Sequence, residues 1–204
     1  MIDSKRFFDA IRKPLFGGRL TAPQVDGLSA ILAAWDRELP DGDRRWLAYM
    51  LATTHHETGR TMQPVRETFA ESDTVAITRL DAAFARGQLR WVSKPYWLPD
   101  EQGRSWLGRG FVQLTHKRNY RTMGETIGVD LLNDPGKAMD MDVALSILLT
   151  GMASGAFTGR KLSDYFSGDR TDWRSARKII NGLESADTVA GYGRLYHAAI
   201  DAAL

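Results

Sequence analysis

A glutamate placed at the end of an apolar helix is the first chemistry this chain offers. Residues 46–59 read WLAYMLATTHHETG, and Trp46, Met50 and Thr53, like Leu47, Leu51 and Thr54, recur at helical spacings of three and four. Continuing the first stripe by four residues reaches Glu57, on or beside the face that packs inward. Gly59 supplies a residue able to adopt the left-handed conformation that commonly closes a helix, so Glu57 falls in the last turn, near the negative end of the dipole. Burial and that dipole end both disfavour a charged carboxylate, which suits the position to a general acid. A solvated glutamate at a helix end is the plainer alternative, and periodicity alone leaves it open. His55, His56 and Glu57 also suggest a metal cluster, but a HExxH zinc site needs a histidine where the chain has Arg60. No metal and no cofactor are expected.

The elements that must position Glu57 read as helices. Residues 4–12 form a short one, ended by Pro14 with Gly17 and Gly18; Thr21 caps a second that runs to about Glu38 with Val25, Leu28, Ile31, Leu32 and Trp35 on one stripe. The LPDGD turn at 39–43 leads into the Glu57 helix, and two core helices joined so tightly imply an antiparallel pair. After residue 61 the periodicity weakens in MQPVRETFAESD, a loop carrying Glu67 and Glu71; Asp73 can then cap a helix over 74–86. Between Gly87 and Gly110, Trp91, Tyr96, Trp97 and Trp106 lie among prolines and glycines. Flat rings on irregular backbone serve either to stack on sugars or to plug a core. Residues 111–115, FVQLT, alternate as a short strand would, and helices are expected over 119–127, 140–152, 173–180 and 189–204. The whole reads as mainly helical with at most a small hairpin, in a single catalytic domain over residues 1–204: a helical lobe containing 43–59, a cleft-forming segment 60–120 and C-terminal helices 121–204.

Composition narrows the class. With 43% hydrophobic and 25% charged residues the chain is an ordinary globular protein rather than a disordered one, and a net charge of +2 is too mild to imply wholesale nucleic-acid binding. The charge is uneven, however. Residues 102–121 hold Arg104, Arg109, Lys117, Arg118 and Arg121 with no acid, interleaved with Trp106, Phe111 and Tyr120, a pattern suited to an anionic polymer. No cysteine is present, so no disulfide is involved. No apolar run reaches signal-peptide or transmembrane length, so stable membrane insertion is not expected and synthesis in the cytoplasm is.

Three motifs in order, HHETG at 55–59, GRGFVQLTHKRNY at 108–120 and IING at 179–182, resemble the family 19 glycoside hydrolases. These are the plant-type chitinases and phage endolysins of the lysozyme-like superfamily. The middle motif is the most specific, and the resemblance spans roughly residues 46–196. It implies a lysozyme-like helical fold with a small β-hairpin region and a cleft between two lobes. It also implies that Glu57 acts as general acid on the glycosidic oxygen, that Gln113 and Thr115 correspond to the QLT motif whose hydroxyl positions a water, that Asn119 lines the cleft and that Asn181 lies near water and sugar. Read from the residues alone, Gln113, Thr115 and Asn119 serve equally well as structural hydrogen-bonding groups, and Asn181 as a turn residue before Gly182. Trp106 and Tyr96 are candidate sugar-binding rings.

Family 19 enzymes invert, which calls for a base about 6.5 to 9.5 Å from the acid with a water between them. The loop that carries the base in plant chitinases has no local match here. Glu67, ten residues after Glu57 and next to Arg66, is the best candidate, ahead of Glu71, Asp81 and Glu101. The arginine that plant enzymes place after their ING motif has no clean counterpart, Tyr192 or Arg194 falling at that point. The expected activity is hydrolysis of the β-1,4 bonds of peptidoglycan glycan strands by a monomeric endolysin (a lysozyme or muramidase), held in the host cytoplasm until a holin releases it to the cell wall. A chitinase acting on GlcNAc polymers is the alternative. A glycan-binding protein without catalysis is the rival of another class, and no nucleic-acid partner is expected.

Overall fold

Capping chemistry sets most helix boundaries in this chain, whose residues 2–204 are described by a computed structural model. In α1 (Ser4–Phe16) the Asp3 side chain accepts from the Arg6 N–H, and Gly17 closes the helix at φ 66. Pro14 was expected to end this helix, yet the helix runs through it to Phe16, because Leu15 in the last turn is buried and tertiary packing outweighs the missing donor. α2 (Ala22–Glu38) starts on a capping box in which Thr21 and Gln24 each satisfy the other's backbone N–H. α3 (Arg44–Glu57) is capped by Asp43. It ends in a Schellman arrangement: Gly59, at φ 55, donates to the His56 carbonyl at 3.1 Å, and Arg60 donates to that of His55 at 2.8 Å. Glu57 is therefore the last helical residue, as the spacing indicated.

The chain divides into two compact units, Met1–Gln63 with Leu148–Leu204, and Pro64–Ile147. The first holds α1 to α3, the end of α6 (Met141–Ser154), a hairpin of β3 (Phe166–Ser167) with β4 (Arg170–Thr171), and α7 (Ala186–Ala202). Leu47 to His55 are buried without a break, so α3 is enclosed on every side and forms the axis of this unit. Its main neighbour is α7, which also receives α1; α2, the expected partner, touches it sparingly. No strand was located at these positions from sequence, since each is two residues long. The hairpin turns at Gly168, and Arg45 secures it by donating to the carbonyls of Gly168 and Arg170. The helix expected over 173–180 is a 3-10 turn, Ser175–Ile179.

The second unit contains β1 (Val65–Arg66), α4 (Asp73–Ala85), β2 (Arg109–Gly110), α5 (Lys117–Ile127) and the start of α6. β1 and β2 run antiparallel with Val65 opposite Gly110 and Arg66 opposite Arg109. The strand expected at 111–115 is absent: these residues turn, with Gln113 at φ 53, a conformation no strand accommodates, and the strand lies just before them. Ser72 rather than Asp73 caps α4. Asp73 is engaged elsewhere, pairing with Arg66 and with the fully buried Arg109. Burial alone would raise the Asp73 carboxyl, but the two guanidinium groups hold it below the usual carboxylate range. Among the described residues no helix is long and apolar enough to cross a membrane.

One glycine is set by close approach. A Cβ built on Gly27 in α2 would lie 1.7 Å from the carbonyl oxygen of Met62, so only hydrogen fits between α2 and the segment that follows the Glu57 helix. Gly to Ala inside a helix ordinarily stabilises by about 1 kcal/mol. Gly27→Ala is expected to do the reverse, costing about 1 to 3 kcal/mol through overpacking against backbone, as read by urea unfolding. A stabilised variant would show that this contact is not tight.

Candidate active site

In the first unit, Glu57 is held by a residue that its own surroundings in sequence do not reveal. Arg177, in the 3-10 turn ahead of the ING motif, donates from Nη1 to Glu57 Oε1 at 2.6 Å, and from Nε to the carbonyl of Glu184 at 3.1 Å. The guanidinium side chain is 5% exposed and the carboxylate 16%, so the pair is largely screened from water and correspondingly rigid. Oε2 accepts no hydrogen bond among the described residues, which leaves one carboxylate oxygen free for a ligand. Tyr192 and Arg194, which fall where plant enzymes carry an arginine after their ING motif, lie on α7, whereas Arg177 precedes that motif. Asn181 is exposed and turns its Oδ1 onto the Gly182 N–H at 2.9 Å, a local turn bond.

The two histidines before Glu57 part company. His56 is half-buried, and burial lowers it while the Glu57 carboxylate opposes that shift. His55 is a core residue: Nδ1 lies 2.9 Å from the Tyr196 hydroxyl, and Tyr192 and Phe16 pack on the ring with centroids at 4.4 and 5.1 Å. Burial, helped by Arg60, pushes it down to about 4.

In the second unit, Glu67 is similarly held. It follows β1 directly, its N–H donates to the Gly108 carbonyl at 2.7 Å, and its Oε2 accepts the Gly108 N–H at 2.7 Å. Oε1 accepts the Tyr96 hydroxyl at 2.5 Å. Burial first, and the Glu67 carboxylate second, push the Tyr96 phenol well up, so it remains a donor. Tyr96, assigned from sequence to sugar binding, is therefore engaged with Glu67, with His116 against its ring at a centroid distance of 4.4 Å. Of the poorer candidates for a base, Asp81 accepts from the Trp97 indole at 2.7 Å, and the Glu71 side chain is 72% exposed.

Gly108 is where the middle motif converges. A Cβ there would lie 2.7 Å from Gln113 Oε1, 3.3 Å from Glu67 Oε2 and 3.3 Å from Thr115 Cγ2, so these three side chains surround one backbone position. Gln113 also donates from Nε2 to the carbonyls of Val65 at 2.9 Å and Gly110 at 3.3 Å, tying the turn to β1. Asn119 lies in the first turn of α5, partly exposed, with no side-chain partner among the described residues. Trp106 is a core ring rather than an open platform: it is 6% exposed, sits edge-on to Tyr120, and is covered by Arg104 and Lys117 at 5.9 and 5.3 Å.

The basic stretch changes character in the fold. Arg104 and Lys117 pair with Asp100, and Arg109 is fully buried against Asp73 and the Tyr120 hydroxyl. Arg118 and Arg121 alone of the five are exposed without an acidic partner among the described residues.

Backbone strain concentrates beside these motifs. Arg60 and Met62 follow the first, Thr68 and Phe69 follow Glu67, Gln113 and His116 lie in the second, and Ser185 follows the third; all have positive φ without being glycine. Such residues cost about 1 to 3 kcal/mol each where they are truly strained and gather at functional sites.

Residues 32–151, more than half of the chain, match the family 19 glycoside hydrolases, described as chitinase class I, and the chain belongs to that family. Endochitinase 4 of Solanum tuberosum is 51% identical over 37 residues, 18% of this chain and 12% of that protein. The basic 30 kDa endochitinase of Solanum lycopersicum is 36% identical over 101 residues, 45% of this chain and 27% of that protein. The chain thus spans at most about a quarter of the length of these curated relatives. A crystal structure of a chitinase C mutant superposes with a TM-score of 0.54, covering 98% of this chain and 92% of that one at 18% identity, a likeness of fold. The mainly helical, lysozyme-like class expected from sequence is the one observed.

The buried His55 gives a test of how the Glu57 helix is held. Its folded value of about 4 lies below the ordinary 6.5, so between those values the unfolded chain binds a proton that the folded chain does not. Stability is therefore full above pH 6.5 and falls as pH drops toward 4, by about 3 kcal/mol in all. Urea unfolding at pH 7.5 and 4.5 is expected to show this loss in the unaltered protein and much less of it in His55→Gln. Equal losses in both proteins would remove His55 as the cause.

Proposed function

We propose that this protein hydrolyses β-1,4 bonds between N-acetylated hexosamines, with Glu57 as general acid and Glu67 as general base. The observation that carries the reading is that both carboxylates are oriented by strong donors inside family motifs or beside them. Glu57 is bonded by Arg177, and Glu67 by Tyr96 and the Gly108 N–H. In the reaction the glycosidic C–O bond breaks as Glu57 gives its proton to the leaving oxygen. Water bonds to the anomeric carbon from the opposite face and gives its proton to Glu67, so the product is inverted. Thr115, packed beside Glu67 at Gly108, is suited to hold that water; Gln113 positions the turn; Asn119 and Asn181 are left to meet sugar.

The polymer proposed is the glycan of bacterial peptidoglycan, the protein acting as a lysozyme-type endolysin in host-cell lysis. In this reading it is a monomer that waits in the host cytoplasm until a holin admits it to the wall. Support comes from Arg118 and Arg121, exposed on the helix that follows the QLT motif and free to meet anionic peptide stems. Chitin is the second reading, favoured by the endochitinase relatives.

The deciding experiment is digestion of purified peptidoglycan and, separately, of chitin oligomers, with borohydride reduction and mass spectrometry of the new ends. Reduced muramic acid identifies a muramidase, reduced glucosamine from peptidoglycan a glucosaminidase, and cleavage of chitin alone a chitinase. Glu57→Gln and Glu67→Gln should each lower the rate by about 10²- to 10⁴-fold at a temperature where circular dichroism shows the variant folded, with some fall in Tm because Arg177 loses its charged partner in the one and Tyr96 or Gly108 an acceptor in the other. An unchanged rate in either variant would remove that residue from its role, and glycan binding without cleavage by the unaltered protein would leave a binding protein.

A further inference from the structure

Directly after Glu67 the chain does three costly things in two residues. Thr68 and Phe69 both adopt left-handed backbone, at φ 61 and 53, where side chains with a Cβ are disfavoured. The Thr68 hydroxyl is buried with no hydrogen-bond partner. Phe69, which a folding chain would ordinarily bury, is 58% exposed. The segment is not loose: Arg79 donates from Nη1 to the Thr68 carbonyl at 3.0 Å, and Ala70, the next residue, is buried in a cluster with Leu80, Trp97 and Leu107. The backbone is thus pinned on both sides of a phenyl ring that faces solvent.

We infer that Phe69 is a substrate-positioning residue, a platform on which a hexosamine ring stacks next to the bond being cut. The inference rests on the glycosidase reading above. The apolar C–H face of a pyranose meets an aromatic ring without needing a polar partner, so a ring two residues from the proposed base offers binding to a sugar beside the point of cleavage. Ordinary loop chemistry would put Gly or Asn at such φ values and turn an aromatic inward. Here the strain and the exposure fall on the same side chain, which is what a presented ligand contact requires. Trp106, the more obvious ring in sequence, is covered by its own cations and unavailable for this.

The test uses Phe69→Ala, Phe69→Gly and Phe69→Trp in the full chain, with whichever of chitohexaose or peptidoglycan glycan the unaltered protein cleaves. Phe69→Ala is expected to raise KM about tenfold with kcat within about twofold, the pattern of lost binding rather than lost chemistry. Phe69→Trp should restore KM. Phe69→Gly should show the same rise in KM with a higher Tm than the unaltered protein, because glycine relieves the left-handed strain; a residue that merely supports the fold would lower Tm. An unchanged KM in Phe69→Ala, or a fall in Tm with kcat and KM both disturbed and no rescue by Trp, overturns the platform while leaving the glycosidase reading intact. Cleavage of neither glycan by the unaltered protein removes that reading, and the platform falls with it.

Discussion

The reciprocal bonding of Glu67 and Gly108 is the constraint on which the second unit depends. Glu67 gives its N–H to the Gly108 carbonyl and takes the Gly108 N–H on its carboxylate. That exchange joins β1 to the approach of β2 with the carboxyl group itself as one of the rungs. It works only because position 108 has no side chain, since Gln113, Thr115 and the Glu67 carboxylate already occupy the space a Cβ would need. The sheet is two residues wide on each strand, far too little to be stable alone. Its register is secured from outside, by Gln113 on the Val65 carbonyl and by the buried Arg109 anchored to Asp73, Tyr120 and the Ser105 carbonyl. Polar contacts that in a large sheet would be accessory here carry the geometry.

The first unit solves the same problem by burial. α3 is enclosed for nine consecutive residues, and in being so it carries the Tyr49, Thr53 and Thr54 hydroxyls and the His55 Nε2 into the interior without partners among the described residues. Those unpaired groups oppose folding. The helix tolerates them because α7 packs along it, with Phe16 of α1 and Tyr192 of α7 closing on the His55 ring. Arg177 then sets the Glu57 carboxylate from a turn distant in sequence, so that side chain is oriented at its backbone by the helix and at its tip by an ion pair.

Arginine has three different uses within one short stretch, and they bear on the proposed substrate. Arg109 is an internal fastener, Arg104 closes a loop on Asp100, and Arg118 is solvent-facing. A count of cations treats these as one electrostatic surface; the fold makes most of them part of the scaffold, with charge already neutralised by neighbours.

The sequence by itself determined what depends on local chemistry or on a short ordered motif. The apolar period located α3, Gly59 its end, and Glu57 the last turn; Thr21 located the start of α2. The order of HHETG, GRGFVQLTHKRNY and IING carried the family. Tertiary structure alone decided what depends on residues far apart in the chain. Arg177 meets Glu57 across 120 positions, Tyr96 meets Glu67 across 29, and Asp73 gives up a helix cap to hold Arg109 across 36. No periodicity encodes such pairs, because each is chosen by the packing that brings two elements together. For the same reason Trp106 reads equally as platform or plug in the sequence and becomes a plug only when its neighbours close over it. Phe69 is the converse case, an apolar residue in a loop without period, whose exposure comes with the left-handed backbone after Glu67.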